Sequence, residues 1–237
     1  MNHAVAHLYR TFESYRLGDD FVGCNDCVAP PETAHLAATP VAELGVAELD
    51  RYAFKAMSTW GDVKHFKHFL PRLLELSLDH YLSFSFPEVL LGKLAYGKWE
   101  TWSNNEQDAV RRFLLEFWTH QLRQPGNFPN DERIDTVLGG LAQATNSLAP
   151  FLTLWLDVQL DVAALHLGQV IDRWADEIMT RGRVSLWGDP TTQSDELVRW
   201  LASTDVLHYL DGFRTTLTGP FPFAMHQLDG IRGAIVH

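Results

Sequence analysis

The most chemically suggestive short motif in this 237-residue chain is Cys24-x-x-Cys27, with His35 eight residues further on. Two thiolates separated by two residues can reach one tetrahedral zinc centre, and an imidazole can supply a third ligand. Cys24, Cys27 and His35 are therefore the candidate metal ligands, and zinc is the ion they suit. A closed structural site needs a fourth ligand, and nothing in the spacing carries His65 or His68 to the cysteines. The competing reading is a pair of reduced cysteines packed in a loop ahead of a helix that opens at Pro31. A redox role calls for a thiol acidified at a helix start in a βαβ setting, and no strand pattern flanks this pair.

A second constellation is Trp60-Gly61-Asp62, with His65 and Arg72 following. It can shape a binding feature between two helices. Each residue also has a local task available: Trp60 to end an apolar stripe, Gly61 to close a helix in a left-handed conformation, Asp62 to cap the next one. Arg72 and Glu75 stand at i, i+3 and can simply pair. Trp99, Trp102 and Trp187 fall where apolar periodicity is weakest, so they serve either as exposed anchors or as filling under loops. The candidate partner-binding residues are Trp60, Asp62, His65, Arg72 and Trp187.

These residues sit among helices. Apolar side chains recur at three- and four-residue spacing along most of the chain, and strand-like alternation is nearly absent. One stripe runs through Leu49, Tyr52, Ala53, Ala56 and Trp60. Another runs from Val63 through Phe66, Phe69, Leu70 and Leu73, where Pro71 is expected to kink the helix or start a new one, the second being favoured. Ser103 and Glu106 have capping-box spacing ahead of Val110, Phe113, Leu114, Phe117, Trp118 and Leu122. The longest stripe runs from Leu160 through Leu167 and Ile171 to Ile178. The pattern predicts an all-α fold, an irregular bundle or stacked helical hairpins without a substantial sheet, with a HEAT-like superhelix among the arrangements left open. We read 1–237 as a single helical domain with a weak sub-boundary near 123–133 and a long connection at 180–194.

The residues Cys24-x-x-Cys27, Tyr52, Trp60-Gly61-Asp62 and His68-Phe-Leu-Pro-Arg-Leu-Leu-Glu-Leu76 together resemble a pattern in uncharacterised bacterial helical proteins. The resemblance covers Cys24 to Leu76. It implies a bacterial cytoplasmic origin and a helical fold, and it assigns no activity.

Composition narrows the function further. Nineteen basic residues against 30 acidic ones give a net charge of −11, which opposes nucleic-acid backbones and anionic membranes and suits a basic protein partner. All five lysines fall between positions 55 and 98. No stretch is long and apolar enough to cross a bilayer, and two cysteines are consistent with a reducing cytoplasm. Nucleophile-elbow, P-loop, dinucleotide-binding and H-E-x-x-H motifs are all missing. We therefore expect a non-enzymatic acidic helical protein that binds a protein partner, an immunity-type inhibitor of a bacterial toxin being one concrete form. No cofactor is expected. The alternative is a metal-binding enzyme or sensor built on Cys24 and Cys27.

Overall fold

A computed structural model describes residues 1–78, 87–125, 134–186, 188, 191–217 and 221–235. Among them the chain is all-α, as the periodicity predicts. The helices are α1 (Asn2–Phe12), α2 (Pro30–Ala38), α3 (Val46–Lys55), α4 (Val63–Leu76), α5 (Pro87–Tyr96) and α6 (Asn104–Arg123). They continue with α7 (Ile134–Ala144), α8 (Ala149–Asp157), α9 (Asp161–Arg181), α10 (Thr191–Leu201), α11 (Thr204–Asp211) and α12 (Phe221–Ile235). Short 3-10 turns occupy Val41–Glu43 and Trp99–Thr101. Two isolated bridges, Gly23 with Trp60 and Ala56 with Trp60, are the extended pairings found among the described residues, and no sheet forms there. None of the described helices is long and apolar enough to cross a membrane.

The chain divides into two compact units, Met1–Phe117 and Trp118–His237. The division falls inside α6, ahead of the turn-rich stretch at 123–133.

In the first unit α1 packs on α4, burying Ala4, Leu8 and Phe12 against a face that includes Phe66, Leu70, Leu73 and Leu74. Pro71 does not start a helix. It lies inside α4, which runs unbroken from Val63 to Leu76. Pro71 carries no N–H, so the Lys67 carbonyl one turn earlier has no i+4 donor, and packing of the apolar face holds the helix together across that gap. The stripe through Ala56 and Trp60 is likewise not one helix, because α3 ends at Lys55. Met57 then takes a left-handed conformation at φ 63°, and Trp60 returns to the core on a turn.

In the second unit α12 packs along α9, close enough that a Cβ on Gly168 would stand 3.5 Å from Ala224. Trp118 and Trp155 meet edge to face at 5.2 Å, and their indole N–H groups donate to the Phe151 and Ala163 carbonyls. The α9 stripe is buried from Ala163 to Ile178, but Leu160 precedes the helix and is exposed. The connection between α9 and α10 is shorter than the expected 180–194. Arg181 still belongs to α9, and Thr191 already opens α10. Ser194 ties that connection down, its hydroxyl accepting from Val184 N and donating to Val184 O at 3.1 and 3.0 Å.

Candidate functional site

The richest chemistry in the first unit gathers around the turn from Met57 to Asp62. Asp62 caps α4: its Oδ1 accepts from Lys64 N and His65 N at 2.8 and 3.2 Å. His65 completes the box from the other side, its Nδ1 accepting from Asp62 N at 3.0 Å. Here a histidine fills the position usually held by Glu or Gln, and its Nε2 faces the Asp20 carboxylate at 3.4 Å. Gly61 has φ +66°, and a Cβ there would lie 3.0 Å from His65, so both conformation and space demand glycine. The capping amides, acting against the burial of the carboxyl, hold Asp62 below its usual range.

Behind this turn the side chains are aromatic. Phe21, Tyr52, Trp60 and Phe69 form a cluster with ring centroids 4.5–6.2 Å apart. Trp60 is only 2 % exposed and His65 only 3 %. Tyr52 Oη and Trp60 Nε1 are buried there without a hydrogen-bond partner.

A charged network lies one turn along α4. Lys67 Nζ donates to Glu106 Oε1 at 2.8 Å and to Tyr15 Oη at 3.0 Å, with its ammonium 4.3 Å from the Trp102 ring centroid. Tyr15 donates to the same Glu106 oxygen at 2.6 Å. The other oxygen accepts from Ser103 N and Oγ at 2.9 and 2.8 Å, so the expected capping box at the start of α6 is present. Burial disfavours the Glu106 charge, but the donors from Lys67, Tyr15 and Ser103 outweigh it and hold the carboxyl at about 2.

An open cavity of about 460 Å³ is bounded by this turn, by Lys67 and Trp102, and by Tyr96 and Lys98 at the end of α5. Its wall contains both of the non-glycine residues that adopt positive φ among the described residues, Met57 at 63° and Lys98 at 53°. Strained backbone of this kind persists only where its surroundings impose it, and it concentrates at functional sites. The lysine asymmetry has a structural counterpart here. Lys67 and Lys98 line the cavity, while Lys93 donates to Ala56 O at 2.8 Å beneath Tyr96, and burial lowers the Lys93 pKa. The second unit has a smaller cavity of about 320 Å³ beside Leu152, Glu196 and Trp200.

The remaining candidates fall outside this cluster. Arg72 is a clamp, donating to Leu44 O at 2.7 Å and to Glu75 Oε2 at 2.6 Å, and Tyr9 donates to the same Glu75 oxygen. Trp187 lies outside the described residues. Trp99 and Trp102 are buried at 3 % and 9 % exposure and do not serve as free surface anchors. Of the partner-binding set, Asp62 is exposed, Arg72 is partly covered, and Trp60 and His65 are interior.

Cys24 is exposed and Cys27 partly so, and both are free thiols. The structure does not bring His35 to them. Its ring lies on α2 with Nε2 4.0 Å from Glu48, and His68 Nδ1 is 2.9 Å from Tyr15 O. Among the described residues no three His, Cys, Asp or Glu side chains converge as a metal site. Instead, the Asp26 N–H and the Cys27 thiol both hydrogen-bond to the Cys24 sulfur and lower its pKa, while that same contact raises Cys27. The cavity joins positions 57–67 to positions 96–102 through turns that carry no shared motif, so no local pattern in the sequence marks it.

No protein family, curated protein or solved structure matches the chain.

Proposed function

We propose that this is a non-catalytic acidic helical protein whose first unit binds a protein partner at the mouth of the cavity beside Tyr96. The observation that carries the reading is Tyr96 itself, 61 % exposed on the rim of a cavity framed by two strained residues. Val22, whose carbonyl accepts from Gly61 N at 2.9 Å, is 62 % exposed, and Phe54 on α3 is 51 % exposed. Large apolar side chains held in water are the usual anchors of protein contacts, each burying roughly 25 cal/mol per Å² on docking.

Charge sets the sign of the partner. The whole chain carries −11, which steers a basic protein toward it and repels phosphate backbones. An immunity-type inhibitor that neutralises a basic bacterial toxin is the most concrete form of this reading. A reducing cytoplasm, which suits the two free cysteines, is the compartment that goes with it.

The test is co-purification from native cells with the product of the adjacent gene, followed by titration of the purified pair. A basic partner is expected, with association slowing as salt rises and with Tyr96→Ala weakening binding by about tenfold or more. A chain that runs alone, with no neighbouring product bound in either low or high salt, would overturn the inhibitor reading.

A further inference from the structure

We infer that Cys24 and Cys27 form a thiol–disulfide exchange site that closes to an intramolecular disulfide at the expense of a low-molecular-weight disulfide. The basis is the shape of the turn. Cys27 N and Val28 N both donate to Cys24 O at 2.9 Å, which closes a turn with the two cysteines at its ends. A hydrogen-bonded turn holds its end Cα atoms within about 7 Å, and a disulfide needs about 4.4–6.8 Å. The turn therefore brings the two Cα atoms to about the separation a disulfide spans.

The turn is also built to stay in place. Cys24 N donates to Thr59 O at 2.7 Å, and Arg51 Nη2 donates to Cys27 O at 2.9 Å. Gly23 fits only as glycine, since a Cβ there would stand 2.6 Å from Val28 Cβ. The two thiols are unequal. Cys24 is the more exposed and receives the Asp26 N–H and the Cys27 thiol at its sulfur, so it is the attacking thiolate and Cys27 the resolving one. The turn amide of Asp26 acts here where a helix start acts in a βαβ setting.

The exchange balances without a further oxidant. The Cys24 thiolate attacks one sulfur of the small disulfide, forming a mixed disulfide and releasing one thiolate. Cys27 gives up its proton to solvent and attacks the Cys24 sulfur, forming the Cys24–Cys27 bond and releasing the second thiolate, which is then protonated. Two protein thiols are oxidised, and one small disulfide is reduced to two thiols.

No partner is needed to test it. Full-length protein is equilibrated in glutathione buffers of graded ratio, acid-quenched and analysed by intact mass with and without alkylation. Wild type is expected to lose two hydrogens per chain and to retain no glutathione, and at limiting reagent Cys24 should alkylate about tenfold faster than Cys27. Cys27→Ser should stall as a stable glutathione adduct on Cys24, while Cys24→Ser should take up far less. Wild type that keeps both thiols free in fully oxidised buffer, or that accumulates glutathione on both cysteines, would overturn the proposal. So would equal alkylation of the two.

Discussion

Replacing Lys67 with Met removes the cation from an enclosed ion pair of the first unit while keeping the length of the apolar stem. The Lys67 and Glu106 side chains are only 10 % and 9 % exposed, and their charged atoms are 2.8 Å apart. A carboxyl held at about 2 instead of 4.5 has its charged form favoured by roughly 3 kcal/mol, shared among Lys67, Tyr15 and Ser103. Removing one partner of a buried pair costs about 3–5 kcal/mol. Because Glu106 keeps its hydroxyl and amide donors, Lys67→Met should cost about 2–3 kcal/mol in urea unfolding at pH 7. The double variant Lys67→Met, Glu106→Gln should cost clearly less than the two single changes added together, since it leaves no unpaired charge behind.

The pH profile offers a separate check on the same pair. The folded pKa of Glu106 lies below its unfolded value, so its contribution is fully present above about pH 4.5 and is lost as pH falls toward 2. In Lys67→Met that loss should shrink. A single-variant cost under about 0.5 kcal/mol, or strict additivity in the cycle, would show that the pair is not the buried linchpin its geometry describes.

Three more outcomes follow from particular atoms. Tyr52→Phe deletes a buried hydroxyl that has no partner, so the thermal midpoint should hold or rise, by up to about 1 kcal/mol in stability, and a clear drop would mean the hydroxyl is satisfied in solution. Lys98→Gly relieves a left-handed residue at φ 53° and should gain about 0.5–1 kcal/mol after the entropic cost of glycine, measured by urea midpoint; a loss would show that the Lys98 side chain contributes more than its backbone strain removes. In the second unit, His166 is buried with Nε2 3.0 Å from Gln124 O, and burial lowers its pKa below 6.5. Its contribution is present above about pH 6.5 and lost as pH falls below it, so His166→Gln should flatten the stability slope on the acid side of about pH 6.5.

The helical class was legible because burial on one side of a helix writes itself into spacing. The stripes from Val110 to Leu122 and from Ala163 to Ile178 are buried as read. Boundaries were less so. Pro71 suggested a helix start because a missing donor is most easily tolerated in a first turn, yet packing against α1 carries α4 through it. The loop after α3 was hidden because Met57, not a glycine, takes the left-handed turn. The left-handed conformation of Gly61 and the cap at Asp62 could be read from residue type, but Gly61 closes no helix because α3 ends at Lys55, and His65 as a capping partner could not be read, since the box is normally closed by Glu or Gln. The Lys67–Glu106 contact spans 39 positions and leaves no local trace. His35 was drawn toward the cysteines by proximity in sequence, while α2 turns it toward Glu48.

The proline inside α4 also leaves that helix one backbone hydrogen bond short partway along. The hydrogen-bond ladder is interrupted at Pro71, so the segment from Val63 to Leu70, which carries the capping histidine and the buried lysine, meets the segment beyond it across a seam. Local opening that begins at the Asp62 end can stop at that seam instead of running to Leu76. Amides on the two sides are expected to exchange with deuterium as two groups of different rate, and one uniform rate from Val63 to Leu76 would show that packing closes the gap.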